Sequence, residues 1–140
     1  MKFKRLFVAL VLTLLASFMA TPAFAGSNDP LFINMTASDS HRATMAIGFG
    51  VRQLDRGHPL TIFLNDRGVL VASQKNAAEY AEQQKLLTDA IKKGAAVYVC
   101  PSCMKHYGVP EGDLLPGTQV SNPELIGSAL FEDGTKTLSW

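Results

Sequence analysis

The chain has 140 residues, 47% of them hydrophobic and 18% charged, and a formal net charge of +1. Three of its thirteen cations, Lys2, Lys4 and Arg5, stand at the very start, so the remainder carries ten Lys and Arg against twelve Asp and Glu. That balance leaves no basic tract to recruit nucleic acid, and the length suits one compact domain but not two.

The leading cations precede an apolar stretch from Leu6 to Ala16, and Ala23-Phe24-Ala25 follows as a small-x-small cleavage site. The pattern is that of a secretory signal peptide over residues 1–25, with a mature start at Gly26. Its apolar run is shorter than the ~20 residues a membrane span needs. Residues 26–140 are therefore expected to form a single soluble domain, periplasmic or secreted, with no membrane contact after cleavage.

Leu31 to Met35 barely alternates and reads as a first strand buried on both faces. Ser38 or Asp39 caps the helix that follows, in which Ala43, Ala46, Ile47, Gly50, Val51 and Leu54 recur at helical spacing. Gly57 ends that unit. His58-Pro59 leads into a second strand, Leu60 to Leu64, with its proline at the entrance where no ladder bond is lost. Asn65-Asp66-Arg67-Gly68 reads as a turn, and Gly68 to Asn76 shows no clear period.

A polar helix from about Ala78 to Lys93 has Tyr80, Leu86, Leu87, Ala90 and Ile91 as its buried set and Gly94 as its stop. The third strand is Ala95 to Val99, with one helical turn expected over Cys103 to Tyr107. Thr118 to Val120 is a brief fourth strand, Asn122 caps a helix over Pro123 to Phe131, and Lys136 to Trp140 is a fifth strand. Phe49 and Phe131 are expected in the core, and core filling also accounts for Met35 and Met45. This alternation predicts an α/β fold with a mostly parallel five-stranded sheet covered on both faces. Taken in the order 2-1-3-4-5, such a sheet reverses between its first and third strands, which brings Thr36 to His41 beside Cys100 to His106.

The chemistry concentrates in Cys100-Pro101-Ser102-Cys103, which holds both cysteines of the chain. A thiol at the carboxyl end of a buried strand, facing the start of a helix, meets backbone dipoles that favour a thiolate. As a nucleophile Cys100 needs a pKa below the free value of ~8.5. The amides of Ser102, Cys103 and Met104, with Lys105 and His106 as nearby cations, are the candidates to lower it. Cys103, three residues on, is placed to resolve an oxidised or persulfidated Cys100. In an oxidising compartment the two thiols tend to pair.

His41, in the first turn of its helix, is a candidate imidazolium for the same thiolate. Cys100, Cys103 and His106 also read as C-x2-C-x2-H, but a structural zinc site needs four ligands. The other histidines are His41 and His58, of which only His41 lies at the expected edge. No metal and no cofactor is therefore assigned. Arg42 and Arg67 are candidates to hold an anionic substrate, whereas Asn65 and Asp66 are read as turn residues only.

Val97-Tyr98-Val99-Cys100, closed by Gly108-Val109, resembles the cysteine loop of the DsrE/DsrF-like sulfur-relay family. Leu31-Phe32-Ile33-Asn34, His41-Arg42-Ala43-Thr44-Met45-Ala46 and Gly57 to Asn65 extend the similarity over nearly the whole mature chain. The resemblance implies a flavodoxin-like three-layer fold, assembly as a homo-oligomer (trimer or hexamer), and sulfur accepted and passed on as a persulfide on Cys100. The implied partners are a sulfur donor or acceptor protein, or a small sulfur compound. Two features depart from the pattern: relay members act in the cytoplasm whereas this chain carries a leader, and Cys103 adds a second thiol.

Two other readings of the residues stand beside it. One is a thiol-disulfide oxidoreductase using the Cys100–Cys103 pair, although thioredoxin-like folds carry CxxC early and face it with a cis-proline loop. The other is a non-enzymatic metal-binding or assembly module.

Overall fold

The computed structural model describes Gly26 and residues 28–140; the signal-peptide reading falls outside the described residues. The elements are β1 (Leu31–Met35), α1 (Ser40–Leu54), β2 (Leu60–Leu64), α2 (Ala77–Lys92), β3 (Ala96–Val99), α3 (Pro101–Tyr107), β4 (Gln119–Val120), α4 (Pro123–Leu130) and β5 (Lys136–Ser139). Their sequence signals act as expected at several boundaries. The Asp39 carboxylate accepts the Arg42 amide at 2.9 Å to cap α1, and Asn122 caps α4 through the Leu125 amide at 2.8 Å, satisfying donors that a helix start leaves unpaired.

All five strands are parallel, in the order β4-β3-β2-β1-β5. The expected order 2-1-3-4-5 is thus corrected: β2 lies between β1 and β3. The chain steps the same way from β1 to β4, and right-handed crossovers put α1 and α2 together on one face. The step back from β4 to β5 then carries α4 over the opposite face.

On the α1/α2 face Leu31, Ile33, Met35, Leu60, Ile62, Leu64, Val97 and Val99 are almost completely buried. The opposite face has thinner cover, with Phe63 half-buried and its ring 6.4 Å from that of Phe32.

Three expectations about the remainder need correction. Gly68 to Asn76 is not irregular but two 3-10 segments, Asp66–Ala72 and Gln74–Asn76, with Val69, Val71 and Ala72 fully buried. Phe131 is 82% exposed and Met45 48% exposed, so neither is core. In α2 the buried face includes Gln83 and Gln84, while Leu86 and Ile91 are only partly covered. Those amides are affordable inside because Gln83 donates to Thr44 Oγ1 (2.8 Å) and Ser40 O (3.1 Å), and Gln84 donates to Ser73 O (2.8 Å). Among the described residues no helix is long and apolar enough to cross a membrane.

Candidate functional site

β3 delivers Cys100 to the carboxyl edge of the sheet, where the chain turns directly into α3. Pro101 occupies the first helical position, which suits its fixed φ and missing N–H. Cys100 is the residue capping this helix, and its Sγ accepts the Cys103 amide at 3.3 Å. The helix therefore starts earlier than the sequence pattern suggested. Gly108, in the left-handed conformation at φ 67, closes it with its amide on Met104 O.

Of the three amides expected to face Cys100, that of Cys103 does so; the Met104 amide instead bonds Cys100 O at 2.9 Å. Ser102 adds a side-chain contact, its Oγ lying 3.2 Å from Cys100 Sγ. The two sulfurs stand at disulfide-bonding distance and are paired, with Cα atoms 5.3 Å apart.

The pair lies between two concavities. Cys100, 7% exposed, borders an open groove of about 470 Å³ with Phe63, Pro101, Asn122, Pro123 and Ile126. Cys103, half-buried, lines a smaller pocket of about 140 Å³ with Asp66, Ser102, His106 and Tyr107. A further hollow of about 220 Å³, bordered by Asp29, Phe49, Gln53, His58 and Lys136, includes residues at the amino ends of β1 and β5. His58 is thus at the far end from the cysteines, its Nδ1 2.8 Å from Asp29 O.

The neighbours of Cys103 come from the loop after β2. The Asp66 amide donates to Cys103 Sγ at 3.2 Å, and Asn65 Oδ1 lies 3.1 Å from the same sulfur. Asp66 is the sole positive-φ residue other than glycine among the described residues, at φ 45. Tyr107 donates its phenolic proton to Asp66 Oδ1 at 2.6 Å. That hydrogen bond, with partial burial and the carboxylate's charge, raises the Tyr107 pKa. Arg67 lies over the Tyr107 ring, 5.9 Å from its centroid, and donates from Nε to Ser38 Oγ at 3.2 Å. The loops leaving β1, β2 and β3 thus touch in the order of their strands.

This arrangement separates the predicted site residues. His106 lies beside Cys103 and meets Tyr107 edge-on, ring centroids 4.7 Å apart. Lys105 is on the exposed side of α3. His41 is exposed in the first turn of α1, behind the strand that the expected order had placed elsewhere. With β2 intervening, β1 and β3 are ~10 Å apart, so the expected direct juxtaposition of Thr36 to His41 with Cys100 to His106 is corrected. Asn65 and Asp66 hold that place instead. Among the described residues no three His, Cys, Asp or Glu side chains cluster as metal ligands.

Fold and site together define an all-parallel α/β domain with a paired CxxC at the carboxyl edge of its sheet. The family model described as DsrE/DsrF-like matches residues 25–134, and the chain belongs to that family. It is 38% identical over 81 residues to uncharacterized protein MJ0989 of Methanocaldococcus jannaschii, a match covering 57% of this chain and 71% of that one. Identity to uncharacterized protein MK0008 of Methanopyrus kandleri is 32% over 81 residues, covering 57% and 67%.

The fold is also similar to solved structures. MTH1491 from Methanobacterium thermoautotrophicum aligns with a TM-score of 0.65 at 17% identity, covering 81% of this chain and 100% of that one. The ychN protein of E. coli aligns with a TM-score of 0.62 at 14% identity, covering 81% and 99%.

Proposed function

We propose that this protein handles sulfur through the Cys100–Cys103 pair, as an exported member of its family. In the reduced state the Cys100 thiolate attacks the outer sulfur of a persulfide donor. A persulfide forms on Cys100, and the donor leaves as a thiolate. Cys103 then attacks the inner sulfur, which closes the disulfide and releases hydrosulfide. The observation that carries this reading is the position of Cys100, with its sulfur on the Cys103 amide and beside an open groove. Family membership supports the relay chemistry. The export follows from the leader read over residues 1–25, and assembly into trimers or hexamers from the family resemblance.

The test is to incubate the reduced protein with a small-molecule persulfide or thiosulfate and weigh it intact, with Cys100→Ser as the blank. One added sulfur atom on Cys103→Ser, which lacks the resolving thiol, and a closed disulfide with released hydrosulfide on the wild type are the expected results, both absent from the blank. An unmodified mass of Cys103→Ser removes the reading. A second reading, a thiol-disulfide oxidoreductase, is favoured by the sulfurs already being paired. A reduction potential in the range of exported oxidoreductases, without sulfur uptake, would select it.

A further inference from the structure

The two sulfurs face opposite surroundings. Cys100 Sγ meets the Cys103 amide at 3.3 Å and the Ser102 hydroxyl at 3.2 Å, both able to donate. Cys103 Sγ meets one donor, the Asp66 amide, but also the Asn65 Oδ1 acceptor at 3.1 Å. The orientation of the Asn65 amide is set independently, because the same Oδ1 accepts the Asp66 amide at 2.8 Å. Negative charge on Cys100 is therefore met by donors, while on Cys103 it is opposed by a carbonyl oxygen and by the nearby Asp66 carboxylate.

When a thiolate opens a disulfide, one sulfur is attacked and the other leaves with the bonding electrons; the better-stabilised thiolate leaves faster. The surroundings make Cys100 the leaving sulfur and Cys103 the attacked one. Exposure agrees, since Cys103 is half-buried and Cys100 only 7% exposed. The pocket on the Cys103 side, about 140 Å³, has room for a small nucleophile rather than a bulky thiol. The Asp66 charge is turned to the Tyr107 hydroxyl, and the Arg67 guanidinium lies above that ring.

We propose that the oxidised protein is itself a sulfur acceptor, with hydrosulfide as substrate and Cys103 as the electrophilic sulfur. Hydrosulfide attacks Cys103 Sγ and the Cys103–Cys100 bond breaks. Cys100 leaves as a thiolate with the electron pair, and Cys103 carries the new persulfide. The incoming sulfide sulfur is oxidised to the sulfane level and the disulfide is reduced, so no further oxidant is needed. This inference rests on the sulfur-handling reading above, but it puts the sulfur on the other cysteine when the pair starts oxidised. Asn65 and Asp66 are then the groups that set which sulfur is attacked.

The experiment treats the oxidised protein with sodium sulfide, quenches rapidly with an alkylating agent, and locates the added sulfur by peptide fragmentation. Cys103 persulfide in about tenfold excess over Cys100 persulfide is expected. Predominant Cys100 persulfide, or a disulfide that sulfide leaves unopened, overturns the proposal. Asn65→Ala removes the opposing oxygen and moves the ratio toward parity; an unchanged ratio overturns the role given to Asn65. The reduced protein with a persulfide donor is run in parallel. Failure there removes the underlying reading, whereas success there with failure in the oxidised arm removes this proposal alone.

Discussion

Gly68 lies directly against the carbonyl of Met35, so that a Cβ at residue 68 would fall on the Met35 oxygen. The same oxygen accepts the Asn65 amide at 2.9 Å, and Gly68 N closes the turn onto Asn65 O at 2.8 Å. The loop that carries Asn65 and Asp66 to Cys103 is thus seated on the end of β1, and the seat requires glycine for want of space.

Gly68→Ala tests that seat. The backbone oxygen cannot turn away without breaking the Asn65 bond, so the loop must lift, at a cost of about 1–3 kcal/mol typical of overpacking. Lifting withdraws the Asp66 amide and Asn65 Oδ1 from Cys103. The expected outcome is a lower denaturation midpoint together with faster alkylation of Cys103 in the reduced protein. Unchanged alkylation with lowered stability would separate the seat from the site.

What the sequence made legible follows from what periodicity encodes. Leu31 to Met35, Leu60 to Leu64 and the caps at Asp39 and Asn122 are local signals, and each element forms where they place it. Strand neighbours are not local. Successive buried strands joined by helices say that the sheet is parallel, yet the same pattern fits 2-1-3 and 3-2-1 equally.

That ambiguity hid the site partners. Asn65 and Asp66 carry ordinary turn chemistry, and their contact with Cys103 exists because β2 pairs directly with β3. Reading β2 as the neighbour of β3 is the signal that would have found them. The buried Gln83 and Gln84 were hidden for a similar reason, since their partners Ser40, Thr44 and Ser73 lie outside α2.

Behind the site, the segment after α3 is clasped to the segment after β2. The Ser73 hydroxyl donates to the Asp113 carboxylate, which also accepts the Lys75 amide at 3.2 Å, and Leu115 N bonds Ala72 O at 2.9 Å. Asp113→Ala leaves a buried hydroxyl and a part-buried amide unpaired and is expected to destabilise by about 1–3 kcal/mol. Combining it with Ser73→Ala removes one orphan, so the double variant should cost less than the two single losses added. Denaturant unfolding of the four proteins measures the coupling; strict additivity would mean that the two groups do not share a bond in solution.

The Tyr107–Asp66 bond predicts an alkaline signature. Folding raises the Tyr107 pKa, first through its hydrogen bond to Asp66, so the folded protein holds the phenolic proton more tightly than the unfolded chain does. The stability this supplies is fully present below the unfolded phenol value of about 10 and is lost as pH climbs from there through the folded value. Asp66→Gly isolates the effect. Glycine accepts the φ 45 that aspartate holds under strain, a relief that offsets the loss of one exposed hydrogen bond. Near neutral pH the variant should therefore unfold close to the wild-type midpoint. Its Tyr107 should meanwhile ionise at lower pH, read from phenolate ultraviolet absorbance against a Tyr107→Phe blank. A Tyr107 titration identical in wild type and Asp66→Gly would show that the phenol does not rest on Asp66, and the loop would lose its anchor to α3.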